Sequence, residues 1–158
     1  MHYLWVFLIS MIPIIELRGA IPVGFSFGLD PIPLYVTAII GNMLPVPFIY
    51  LFARRILIWG KDKRWIGPFF SWCLDKGERG GEKLQARSKR GLLVALMLFV
   101  GIPLPGTGAW TGTLAASILK MDFRSSCLAC MGGVLIAGVL VYLASLGIFG
   151  AVGQLFAA

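Results

Sequence analysis

Glu16-Leu17-Arg18-Gly19-Ala20-Ile21-Pro22 interrupts one apolar stretch of this sequence, and Pro103-Leu104-Pro105-Gly106-Thr107-Gly108-Ala109 interrupts a second. Each interruption has about a dozen uncharged residues on either side, too few for a helix to cross the roughly 30 Å apolar core of a bilayer. Non-helical backbone at membrane depth is tolerated only where protein buries it or where it lines a cavity. Two short, Gly/Pro-interrupted segments at corresponding places in two halves of a chain point to a substrate site between them.

Of the 158 residues, 58% are hydrophobic and only 13% are charged. A soluble domain has about half and about a quarter. Residues 31–53, 91–119 and 125–158 hold no Asp, Glu, Lys or Arg. The pattern predicts an all-α integral membrane protein. The net charge of +7 lies entirely within 54–90, which carries eleven basic and four acidic residues; elsewhere Arg18, Lys120 and Arg124 balance Glu16, Asp30 and Asp122. Such a segment predicts a cytoplasmic linker near anionic headgroups, so membrane lipid is an expected partner. It does not point to nucleic acid, because no stacking platform or recognised binding fold accompanies it. Cys127 and Cys130 have redox spacing but lie in an uncharged run, and read as small apolar residues. Cys73 stands apart beside Trp72, and His2 is the one histidine. Neither a metal nor a cofactor is expected. Residues 1–15 lack a positive n-region and a small-residue cleavage site, so they read as a retained segment rather than a signal peptide.

Residues 1–15 predict a helix of roughly 20 Å. A second short helix follows over 20–29, closed by the turn signal Asp30-Pro31-Ile32-Pro33. Together 1–30 form a hairpin that enters and leaves on one side. Residues 33–53 predict a full span, kinked by Pro45 and Pro47. In the linker 54–90, the aromatic-rich part 59–74 suits the membrane interface. The part 75–90, with Gly77, Gly80 and Gly81, reads as a solvated loop or short helix. Residues 91–119 predict a second hairpin and 125–149 a second span, whose Gly132, Gly133, Ala137, Gly138 and Ala144 permit close packing. Residues 150–158 read as a fraying end. Landmarks recur between the halves: Gly19-Ala20 with Gly108-Ala109, Gly41 with Gly132, Tyr50 with Tyr142.

Parity then sets the topology. A hairpin returns to its own side and a span crosses once. With the linker inside, the first half enters from outside and the second from inside. The expected fold is one membrane domain, an inverted repeat of re-entrant helical hairpin plus one transmembrane helix (1–53 and 91–150), in the inner cell membrane with both termini outside. The rival arrangement makes 91–119 one broken span, which moves Lys120 and Arg124 outside against the positive-inside rule.

Glu16 and Arg18 are the only charges in the first hairpin. An ionisable group near the bilayer centre costs about 2.5–3.5 kcal/mol on insertion scales and marks function by default. Residues two apart do not face each other on a helix. The two therefore pair across a non-helical tip, or each has a partner elsewhere. The expected roles are proton or cation binding for Glu16 and anion binding for Arg18; the alternative is a structural ion pair. The second tip has no charge. Pro105, Gly106, Thr107 and Gly108 offer a hydroxyl and backbone N–H groups at a helix start, which suits an anion, and Trp110 follows. No Gly-Lys-Ser/Thr is present to make a generic phosphate loop. Asn42, within a span, either bonds a neighbouring helix or faces the cavity. Gly19 and Pro22 complete the expected binding set, and Asp30 and Asp122 read as turn residues.

Glu16 to Pro22 with Gly24, followed by Pro103 to Gly112, resemble the bacterial and archaeal small multidrug export protein family over nearly the whole chain. The architecture is more distantly similar to DedA-like membrane proteins, which carry paired re-entrant hairpins. The first resemblance implies export. The second implies movement of lipid substrates, including polyprenyl phosphate carriers, driven by ion gradients. DedA-type sequences place arginines in the second hairpin; here 91–119 has none, which leaves Arg18 as the intramembrane cation.

The expectation is therefore a small transporter, coupled to H+ or Na+, moving a lipid phosphate or an amphiphilic drug between two opposed hairpins. No nucleophile–base pair suggests an enzyme. The alternative function is a non-transporting scaffold or assembly factor. Two spans bury little surface, so a twofold homodimer is expected.

Overall fold

In the computed structural model, which describes residues 1–62, 67–104 and 106–157, the chain is all-helical. Proline and glycine set most of the helix ends. Helix α1 (His2–Met11) stops where Ile12 turns extended ahead of Pro13, since the residue before proline disfavours the helical region. Helix α2 (Glu16–Ser26) begins at once after Ile15 and contains Pro22. The first interruption is thus Ile12–Ile15 rather than 16–22. Ile14 and Glu16 carry positive φ there, 80° and 52°. Glu16 marks the end of the irregular stretch, and Pro22 is absorbed inside a helix whose neighbours surround it.

Helices α3 (Pro31–Met43) and α4 (Pro45–Lys61) both start on proline, and only Leu44, itself helical in φ and ψ, separates them. Proline lacks the N–H that a helix interior needs but suits its first position. Together they make a 31-residue apolar rod, about 46 Å at 1.5 Å per residue. Helix α5 (Gly67–Arg87) follows. It runs straight through the stretch expected to be a loop or short helix, and there Gly81 leaves no room for a side chain because the Leu119 carbonyl lies against it. The Ser88 hydroxyl accepts from the Gly91 N–H at 2.9 Å and caps α6 (Lys89–Gly101). Helix α7 (Ala109–Ile118) follows the second interruption. Helix α8 (Phe123–Ala157) then continues to Ala157 without the expected frayed end at 150–158. Pro105, Lys63, Arg64 and Trp65, and the side chain of Cys73, lie outside the described residues.

Among the described residues, two rods are long and apolar enough to cross a membrane: Pro31–Lys61, and Phe123–Gly147 within α8. Their outward faces carry Ile32, Phe48, Leu51, Leu128 and Leu143, all exposed. Continuous exposed apolar surface of this kind suits lipid rather than water. The chain is a membrane protein with two candidate spans.

Contacts within and between the halves come in matched pairs. Helix α1 packs on α3 and α6 on α8; α2 rests on α8 and α7 on α4. A glycine makes each of the first two approaches possible. A Cβ on Gly41 would lie 2.6 Å from the Phe7 carbonyl oxygen and against the Ser10 hydroxyl; one on Gly133 would lie 2.6 Å from the Met97 carbonyl oxygen and against Val100. Phe7 and Met97 are ninety residues apart, as are Ser10 and Val100. The core between these helices is built from Val6, Leu17, Ile21, Leu34, Val100 and Val134.

Candidate functional site

The two interruptions meet. Helix α2 starts with a carboxylate and a guanidinium, and each finds its partners on the other interruption. Glu16 is 4% exposed. Its Oε1 accepts from the Trp110 backbone N–H at 3.2 Å, and the Ala109 amide bonds the carboxylate as well. These are the first two amides of α7. The first four N–H groups of a helix have no partner within it, and its N-terminus carries positive partial charge. The second tip was expected to suit an anion; the anion it holds is the side chain of Glu16. Gly108 makes room for it. Its φ is 153°, and a Cβ there would lie 2.6 Å from Oε1 and against Oε2.

Arg18 takes the other end. Its guanidinium donates to the carbonyl of Leu104, to that of Ile102 at 3.1 Å, and to that of Val100 at 3.4 Å. These oxygens lie at and just past the end of α6, where carbonyls lack helical partners and the dipole is negative. The Thr107 hydroxyl accepts from Arg18 at 3.0 Å and lies 2.7 Å from the Ile102 carbonyl oxygen, to which it donates. A planar fork of donors can serve several acceptors at once, which an ammonium does less well. One arm of the first half thus neutralises both ends of a broken helix in the second: negative charge on the start of α7, positive charge on the end of α6. Of the two arrangements open to these charges, the structure has the second, a separate set of hydrogen-bond partners for each.

The remaining predicted residues fall at different distances from this contact. Gly19 faces Ile15 of the first interruption, and a Cβ there would collide with it. Pro22 lies six residues into α2, roughly 9 Å along the axis from Glu16. Gly106 turns the chain at φ 82° in open space. Trp110 gives its backbone N–H to Glu16, while its indole N–H is buried without a hydrogen-bond partner among the described residues. Asn42 is 0% exposed, and neither its Oδ1 nor its Nδ2 has a partner among the described residues.

Two apolar surface grooves converge on Trp110. One, of about 550 Å³, lies between the first interruption (Met11, Ile12, Pro13) and α4 (Leu44, Phe48). The other, of about 310 Å³, runs along α4 past Phe52 and Ile56 to Leu114. Volumes of about 300–1,000 Å³ suit drug-sized molecules.

Sequence reasoning missed the backbone partners, which are the amides of Ala109 and Trp110 and the carbonyls of Val100, Ile102 and Leu104. It also missed Thr113. The Thr113 hydroxyl lies 2.5 Å from the Ala109 carbonyl oxygen and 3.6 Å from the Cys130 sulfur. Helical spacing from Ala109 to Thr113 was the available signal.

The family model described as "putative small multi-drug export protein" matches residues 16–140. None of the curated proteins and none of the solved structures matches the chain.

Proposed function

Because the chain belongs to the small multi-drug export protein family, we propose that it is a proton-coupled membrane transporter that carries an amphiphilic or anionic lipid-type substrate between two opposed re-entrant hairpins. The hairpins are α1–α2 and α6–α7, and the spans are α3–α4 and α8. The matched seats of Gly41 on Phe7 and Ser10, and of Gly133 on Met97 and Val100, support reading the halves as repeats. Inverted insertion, with the basic linker cytoplasmic and both termini outside, follows from parity and the positive-inside rule.

One observation carries the reading: the charges that open α2 hold the two broken ends of α6 and α7. Such a contact is closed while Glu16 is ionised and opens when something competes for its partners. A proton on Glu16 removes the anion that α7 holds. An anionic headgroup offers Arg18 a charged acceptor that can take two parallel N–H bonds, where the carbonyls are neutral. The grooves beside Trp110 suit the apolar body of the same molecule, reached sideways from the bilayer. A homodimer would cover further apolar surface.

A second reading has support in the same contact. Both charges are already engaged within the chain, as they would be in a static brace of a scaffold. Reconstituted vesicles separate the two. Export of a fluorescent amphiphile or movement of labelled phosphatidylglycerol should fall at least about tenfold in Glu16→Gln and Arg18→Ala, the rate equivalent of losing roughly 1.4 kcal/mol. Unchanged transport in both variants, folded by elution profile and helix content, supports the scaffold and overturns the transporter.

A further inference from the structure

Asn42 is the only asparagine of the chain, is fully buried, and uses neither its donor nor its acceptor among the described residues. Buried amides are nearly always bonded, and each exception asks for an explanation. Leaving one unpaired forfeits the hydrogen bonds it would make in water.

Two registers locate it. Leu34 of α3 presses on α2 at Gly24. Residues 27–30 join the two helices and double the chain back so that Leu34 meets Gly24, so eight residues back along α2 matches eight forward along α3. That brings Glu16 level with Asn42. Independently, α3–α4 runs antiparallel to α8. The Tyr35 hydroxyl donates to the Leu135 carbonyl at 2.8 Å, and the Tyr50 ring meets Phe123 with centroids 5.3 Å apart. Asn42, midway between the two tyrosines, falls level with Ala129 and Cys130, and the Cys130 sulfur lies 3.6 Å from the Thr113 hydroxyl, which bonds the Ala109 carbonyl at the start of α7 where Glu16 is held. Both constructions converge on one height in the molecule.

The hydrogen-bond chemistry there is specific. An ionised carboxylate is acceptor-only and suits the amide N–H donors of Ala109 and Trp110. A protonated carboxyl is one donor and one acceptor, which is the complement of a side-chain amide. We infer that Asn42 is the hydrogen-bond partner of the protonated Glu16 carboxyl, so that protonation moves this side chain from the start of α7 to α3. The O–H donates to Oδ1 and Nδ2 donates to the carbonyl oxygen. The proton comes from solvent and returns to it when the carboxylate moves back to α7. Glu16 holds a positive φ in the α7-bound state, a strained conformation for a non-glycine residue. Few titratable groups share this surrounding. Arg18 lies on the same helix and Cys127 and Cys130 on α8, while 91–119 contributes none. His2 and Tyr3 sit at the far end of α1, and Tyr35 lies seven residues, about two turns, from Asn42. This switch rests on the proton-coupled reading above and names its second station.

The test uses the whole protein in vesicles of phosphatidylcholine and phosphatidylglycerol, with protons alone as the ligand. In infrared difference spectra, acidification should produce a carboxylic C=O band that is missing in Glu16→Gln. The band should move to higher wavenumber in Asn42→Leu and in Asn42→Thr, where the amide donor to that carbonyl is gone. A second readout needs no change at position 42. Isotope-labelled asparagine gives one side-chain amide resonance, which should shift with the same midpoint as the band and stay fixed in Glu16→Gln. An amide resonance that does not move while the Glu16 band rises overturns the inference, as does a band that stays in place in the Asn42 variants. Transport lost in Glu16→Gln with a static amide would refute the switch and keep the transporter. A moving amide with transport intact in Glu16→Gln would do the reverse.

Discussion

Gly108 shows how narrow the tolerance is at a single position. Its φ of 153° and the carboxylate packed on its α-carbon leave no place for a methyl group. Gly108→Ala should push Glu16 off the amides of Ala109 and Trp110 and lower stability by about 1–3 kcal/mol, from the lost charged hydrogen bonds and the backbone strain together. Denaturant titration in mixed micelles measures it, and a midpoint within error of wild type would mean that Gly108 is not holding this contact. At this scale the sequence was legible in half. Glu16 and Arg18 stood out because a charge in an apolar stretch has few bland explanations. Their partners did not stand out, because amides and carbonyls belong to every residue, and only the fold says which of them lack helical mates. Trp110 stood in the expected binding set, but nothing local showed that its backbone N–H would meet Glu16.

At the scale of the helices, the two glycine seats make a quantitative comparison possible. Gly41→Val and Gly133→Val introduce a similar clash, with a carbonyl oxygen and a neighbouring side chain at each. Overpacking of this kind costs about 1–3 kcal/mol. Both variants should be destabilised, and by amounts within about 1 kcal/mol of each other, when unfolding is followed by circular dichroism. A large inequality would argue that the halves are not equivalent in packing. Helix existence was well predicted, and boundaries less so. Charge at Glu16 suggested the place of the first interruption, but Pro13 ends the helix earlier. Proline at 22 looked like a breaker and sits inside α2, because neighbouring helices and small local adjustments can satisfy the backbone groups that it frees. Three glycines made 75–90 look like a loop. One of them, Gly81, serves instead as a contact for the end of α7.

At the scale of the whole molecule, topology is the prediction to test. In intact cells, a membrane-impermeant maleimide should leave Asp75→Cys unlabelled until the inner face is opened, while an N-terminal tag should be reached from outside. Labelling of Asp75→Cys in sealed cells would invert the arrangement. The charge tally supplies an expected side for the linker, whereas the exchange of arms between halves was not legible, since no local pattern encodes that α2 lies on α8 and α7 on α4. That exchange bears on how the protein is made. When the ribosome has delivered α1 to α3, α2 has neither α8 to rest on nor an α6 or α7 whose ends its charges could join. Glu16 and Arg18 must wait in or beside the membrane until synthesis has passed Trp110. The newborn first half therefore carries both charges without the partners they have in the folded chain, which makes the order of synthesis part of how this contact forms.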